Sequence, residues 1–310
     1  MNRKILFVVL FLASLCTISY AQVDPDLDPD PVAEDTINYW KTEAKFSFNV
    51  QQVGLTNWAA GGESSLALGA VLQANGKYEK DQVVWENNAR IAYGVLRQGA
   101  VDNRFEKTDD IINLSSKYSQ KFSEKVLMTS AILFQTQMDE GYKYEDIPNS
   151  SDKRRVLISN FLAPGYMQAS LGLTYREGDI MDMTLSPFTG RFTFVMNDSL
   201  ANAGAFGVLP GETFRAEAGI SFNGNVKAKL MKNVDFKMGI NLFSNYEKFP
   251  NTVVNGLAEI VLKVNDYIAS TITSQIIYDD DVMINFDDGT QGRALQIKNV
   301  INVGLTIGFK

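Results

Sequence analysis

The chain has 310 residues, of which 45% are hydrophobic and 21% charged, and it carries a formal net charge of −7. It contains no histidine and one cysteine. Those counts exclude Ser-His and Cys-His nucleophile sites, His-ligated metals and an intrachain disulfide framework, and the acidic balance argues against nucleic acid as a partner.

Residues 1–21 carry the marks of an export signal. Arg3 and Lys4 form a basic start, residues 5–15 are an apolar run, and Ser19, Tyr20 and Ala21 make a small-x-small cleavage site before Gln22. The apolar run is shorter than the roughly 20 residues a helical span needs, so a cleaved signal is expected rather than an anchor. Leu15 stands before Cys16 where a lipoprotein signal wants a small residue, so the cysteine leaves with the signal. Losing Arg3 and Lys4 takes the net charge from −7 to −9. Residues 22–40 follow as a tail. Within it 23–36 reads VDPDLDPDPVAEDT, rich in proline and carboxylate, which cannot bury apolar surface and is expected to be disordered.

The barrel domain is expected over 41–310. From Ala44 onward the sequence alternates with a period of two. Met167, Ala169, Leu171, Leu173 and Tyr175 oppose Gln168, Ser170, Gly172 and Thr174. Phe214, Ala216, Ala218, Ile220 and Phe222 oppose Arg215, Glu217, Gly219 and Ser221. The C-terminus is clearest, with Ile301, Val303, Leu305, Ile307 and Phe309 sharing one face. Twelve strands are predicted, near 44–56, 64–79, 83–97, 108–122, 126–142, 164–177, 180–196, 212–230, 234–248, 253–264, 267–278 and 297–309. Nearly all exceed the roughly 9–11 residues of a tilted bilayer-crossing strand. Pro187 and Gly190 interrupt one of them and predict a register-shifting bulge. Residues 126–134 are apolar on both faces and leave their orientation open.

Every second connection is short and polar, as at Asp81, Glu124, Gly178 and Asn233, while the intervening ones are mostly long. That alternation is the pattern of an outer-membrane barrel, and an even strand number closes the sheet without edges. Two connections, 57–63 and 250–252, are short yet fall on the long-loop side, which leaves the count between ten and fourteen. The fold expected is therefore an all-β, up-and-down antiparallel transmembrane barrel of about twelve strands, located in the cell outer membrane. The rival is a secreted soluble sandwich or lipocalin-like barrel, with the apolar face inside. Aromatics near strand ends, among them Tyr78, Trp85, Tyr93, Tyr118, Tyr166, Tyr175, Phe214 and Tyr246, suit interfacial girdles.

By this register Glu86, Arg90, Lys117, Arg176, Arg215, Glu217, Lys237, Glu259 and Lys263 face the interior, with Lys45 and Lys121 beside them. They serve either as a web of ion pairs stiffening the barrel or as a lining selective for a charged solute. The acidic loop from Asp279 to Asp288 departs from EF-hand spacing and is expected to be solvated. Without histidine, hydrolase sites lose their usual base, so no enzymatic activity is expected, and neither is a cofactor or metal.

One motif stands apart: Asn57, Trp58, Ala59, Ala60, Gly61, Gly62 and Glu63. Physically it reads as a tight turn, since Gly61 and Gly62 permit positive φ and Trp58 can anchor at an interface. A recognition loop for a partner or lipid is the other reading. With the export signal, the barrel pattern and the closing VGLTIGFK, the chain resembles the uncharacterised Bacteroidota outer-membrane family catalogued as domain of unknown function 3078. The resemblance brings no activity with it. Phe309 resembles the terminal signal read by barrel-assembly machinery, although Lys310 follows it. The function expected is a porin-like pore for small polar solutes. The alternative is a non-conducting structural or assembly partner of another envelope complex. Outer-membrane lipid, the assembly machinery and an envelope protein are the partners implied.

Overall fold

The computed structural model describes residues 38–53, 64–98, 105–146, 153–265, 268–280, 282–286 and 290–309. Its strands are β1 (Trp40–Val53), β2 (Ser65–Lys80), β3 (Val83–Gln98), β4 (Glu106–Lys121), β5 (Val126–Thr136), β6 (Gly141–Asp146), β7 (Lys153–Ser159) and β8 (Gly165–Glu177). The second half of the chain adds β9 (Met181–Phe194), β10 (Phe214–Met231), β11 (Val234–Asn245), β12 (Thr252–Lys263), β13 (Ile268–Tyr278), β14 (Ile284–Asn285), β15 (Gln291–Gly292) and β16 (Gln296–Phe309). Twelve of them close into one antiparallel barrel, each beside the next in chain order. The pairs β6–β7 and β14–β15 are separate hairpins within two of the long loops. The closing seam joins β1 and β16 over Ala44–Asn49 and Gly304–Phe309.

The alternation in sequence is the alternation of the wall. On β8 Leu171 and Leu173 point outward and are exposed, while Thr174 and Gln168 point inward and are buried. On β16 the outward Ile301, Val303 and Leu305 are 72%, 65% and 57% exposed, a surface that folding alone does not explain. The apolar face is thus outside, the reverse of a lipocalin-like barrel. β5 resolves in the same way: Leu127 and Thr129 are buried inside, Met128 and Ile132 exposed outside.

Outward aromatics gather at the two ends of the wall. Near the short turns Trp40 lies 5.4 Å from Tyr78 and 5.6 Å from Trp85, ring centre to ring centre. Near the long loops Phe214 lies 5.4 Å from Phe194 and 6.1 Å from Phe192. Tyr166 departs from the expected girdle. It pairs with Thr193 and Gln135 on the inward face, because its parity on β8 is that of Gln168.

The short turns use residues suited to reversal. Asp81 and Gly178 both take positive φ, at 51° and 55°. On the long-loop side the 246–251 connection is one 3-10 turn, Tyr246–Lys248, which Asn245 caps by accepting from Glu247 N at 2.8 Å. That connection is therefore short without any strand being misplaced. Another long loop carries helix α1 (Asp198–Asn202) and packs on the connection before β8, so that Ala163 of that connection is buried together with Val195, Leu200, Ala201 and Val208.

Among the described residues three boundaries differ from the expected ones by three residues or more, the others by at most two. β1 begins at Trp40, within the predicted tail, because Trp40 pairs with Tyr78 and packs on Trp85. The predicted strand 126–142 stops at Thr136, whose hydroxyl bonds Pro164 O and Leu162 N rather than continuing the ladder. The third strand end, predicted at 248, falls at Asn245, where the 3-10 turn begins.

The bulge lies where Pro187 predicts it. Leu171 pairs with Phe188 and Leu173 with Leu185, so β9 places two residues, Ser186 and Pro187, against Gly172 alone. Glycine is required at that point, since a Cβ on Gly172 would sit 2.1 Å from Leu185 O and 2.5 Å from Ser186 Cα. Gly172→Ala should destabilise the barrel by about 1–3 kcal/mol, read as a lower temperature for converting the compact folded band to the unfolded one in electrophoresis.

Candidate functional site

The interior of the barrel is where charge collects. The structure places the nine predicted interior charges on inward-facing positions, and three of the pairs they make cross between strands that are not neighbours in the ring. Arg90 on β3 donates from Nη1 to Glu259 Oε1 on β12 at 3.1 Å, across five strand positions of the ring. Arg176 on β8 bonds Glu86 on β3. Lys117 on β4 donates to Asp182 on β9 at 2.9 Å. Chords of this kind can form only inside a closed sheet, and each shortens the free span of the lumen.

Toward the long loops the interior holds a denser cluster. Arg191, 8% exposed, donates from Nη2 to Asp279 Oδ2 at 2.8 Å and holds Glu217 Oε2 at 3.7 Å. Its guanidinium lies over Tyr166 and Phe243, 5.1 Å and 5.7 Å from the ring centres. Arg215 donates to Glu217 Oε1, which also accepts from Asn245 Nδ2 at 2.8 Å. The rings exclude water around Arg191, which strengthens its ion pairs. Asp279 is therefore turned inward and buried, contrary to the expected solvated loop. A buried arginine needs a second carboxylate, and this loop supplies it. Asp281, Asp287 and Asp288 lie outside the described residues.

Toward the short turns the lining changes. Val84 and Leu127 are buried, and beside them a chain of hydroxyls runs between four strands. Ser119 and Thr129 are 3.0 Å apart, Thr129 and Thr174 2.6 Å, and Thr174 and Thr184 2.7 Å. These hydroxyls satisfy one another away from water. On the strands to either side, β1, β2, β3 and β10, Glu43, Asn75, Asn88, Asn225 and Lys227 face inward and are exposed, so water enters the lumen there. Lys263 pairs with Asp235 at the short-turn rim and is half exposed. In the turn before β5, Lys125 sits 2.8 Å from Glu177, whose hydrogen bond raises the ammonium pKa above its ordinary value.

Sequence reading missed Asp182, Asp279, Lys227 and the hydroxyl chain. Lys227 could have been found by extending the Arg215–Glu217 alternation along β10. The motif residues Asn57, Trp58, Gly61, Gly62 and Glu63 lie outside the described residues, as do residues 1–37.

Fold and interior together define a closed twelve-strand antiparallel barrel, apolar outside and crossed by ion pairs inside. A family described as protein of unknown function (DUF3078) matches residues 50–142, and over that stretch the chain is similar to the family. No curated protein matches the chain. Among solved structures it is similar to the translocator domain of the autotransporter NalP from Neisseria meningitidis, at 9% identity over 88% of each chain with a TM-score of 0.39. It is also similar to an outer membrane channel from Pseudomonas putida F1, at 8% identity over 91% of this chain and 100% of that one, TM-score 0.39. The NanC porin shares 9% identity over 85% of this chain and 97% of its own, TM-score 0.35.

Proposed function

We propose that the chain is an exported outer-membrane barrel serving as a narrow pore for small polar solutes. The observation that carries this reading is the interior. Its two ends differ, a dry ion cluster toward the long loops and a wetted wall toward the short turns, and side-chain pairs such as Arg90–Glu259 cross the middle. A pair whose side chains keep 25% and 12% exposure is reached by water and can part without unfolding the wall. Membrane placement rests on the exposed outward aliphatics, the aromatics at both ends and the strand lengths of 11 to 18 residues. Export rests on the signal-like residues 1–21, and the long loops then face outward from the cell. Outer-membrane lipid and the barrel-assembly machinery are the partners this reading needs. Catalysis has no part in it, and it takes no cofactor.

The test is conductance of the purified barrel in a planar lipid bilayer. The pore reading expects small, discrete openings. Glu259→Gln removes the charge that holds Arg90 across the lumen, and it should raise unitary conductance or open probability while the barrel still assembles. A silent barrel, in wild type and variant alike, would move the reading to a structural or assembly partner of an envelope complex.

A further inference from the structure

We infer that the short-turn half of the lumen holds a binding site for small anions, built from Lys45, Lys227 and Lys237. The inference deepens the pore reading and rests on it for its physiological role. On the barrel wall Lys227 of β10 is the direct register partner of Lys237 of β11, and both face inward. Like charges directly opposite each other across a strand pair are destabilising. Neither lysine makes an ion pair within 4 Å among the described residues. Glu259 is the register partner of Lys237 on the other side, but its carboxylate is held by Arg90 at 3.1 Å. Lys45, from β1, stands among the charged neighbours of Lys237 together with Lys227, Glu259 and Glu43. Glu43 is engaged by Lys45 at 2.7 Å. Nearer the short-turn rim, Asp235 is held by Lys263.

Among the described residues, Lys237, its charged neighbours and the Arg90 that holds Glu259 make four cations, Arg90, Lys45, Lys227 and Lys237, against two carboxylates, Glu43 and Glu259. Glu259 is held by Arg90 and Glu43 by Lys45, so Lys227 and Lys237 are the two cations left without a carboxylate within 4 Å among the described residues. The excess is local, since the whole chain is acidic at −7. Lys227 and Lys45 are open to water, so a diffusible ion can reach them. A mobile anion relieves the Lys227–Lys237 repulsion, accepts hydrogen bonds from ammonium groups with three donors each, and can leave again. Multi-site, moderate binding of that kind is what a conducting pathway needs. The ligand class is therefore a small carboxylate, phosphate or halide. Cations meet an excess of like charge there.

Two measurements test this separately from the pore itself. In the first, the folded full barrel in detergent micelles is reductively 13C-methylated at its lysines and titrated with inorganic phosphate. Saturable shifts of the Lys45, Lys227 and Lys237 signals are expected, and Lys227→Gln with Lys237→Gln should weaken phosphate binding roughly tenfold or more. The double variant removes a like-charge pair, so it should fold at least as well as wild type. In the second, the bilayer reversal potential in a KCl gradient should favour chloride, and Lys227→Glu with Lys237→Glu should shift it toward potassium. Lysine signals that respond to phosphate in a silent barrel would sink the pore reading and leave the site standing. Openings that show no chloride preference, with lysine signals indifferent to phosphate, would overturn the site and leave the pore.

Discussion

Replacing Arg191 with methionine should destabilise the barrel by about 3–5 kcal/mol, the loss expected when one partner of a buried ion pair is removed. The side chain is 9% exposed and lies between Asp279 at 2.8 Å and Glu217 at 3.7 Å, with Tyr166 and Phe243 against its planar group. Methionine fills much of the volume, so packing changes little. Asp279 loses its guanidinium, and Glu217 keeps only the Arg215 and Asn245 bonds on its other oxygen. The check is the temperature at which the compact electrophoretic band converts to the extended one. Arg191→Met combined with Asp279→Asn should recover part of the loss, because it removes the stranded charge. A single variant as stable as wild type would mean that the cluster is solvated and its ion pairs contribute little.

Neighbouring residues on β12 should respond oppositely to a change of charge. Ile260 pairs with Phe236 and Ile272 on the outward face, while Glu259 pairs with Lys237 and Thr273 inside. Ile260→Arg sets a cation against hydrocarbon, at about 2–4 kcal/mol near the midplane, and should prevent or slow assembly. Glu259→Gln keeps the shape and one hydrogen-bond acceptor for Arg90, and should assemble. Comparing the folded fraction of the two variants after outer-membrane expression measures both. Equal tolerance would reverse the two faces of β12.

How far the wall was legible follows from its chemistry. A strand with lipid on one side and water or ion pairs on the other must alternate, so β8, β10, β11, β12 and β16 could be traced residue by residue. Pro187 marked the bulge because it cannot donate to a ladder. Legibility fails where a residue keeps the right type but serves another neighbour. Tyr166 looks like a girdle residue and instead lies beneath Arg191. Asp279 looks like solvated loop and instead completes an ion pair 88 residues away along the chain. Trp40 sits after a disordered-looking run, and only its contacts with Tyr78 and Trp85 place it in β1. The interior charges could be assigned to a face by parity. Their partners could not, because the 169-residue separation of Arg90 and Glu259 is bridged by closure of the ring, and the stagger of that closure is written in no single strand.

Apolar side chains of the wall should meet lipid, and charged ones the lumen. Nitroxide labels at single cysteines from 256 to 262, in the chain carrying Cys16→Ser and reconstituted in bilayers, test it most directly. Labels at even positions should collide mainly with dissolved oxygen, and those at odd positions mainly with a water-soluble nickel chelate, with a period of two along β12. Chelate access at the even positions equal to that at the odd ones, or oxygen preference at the odd positions, would contradict it.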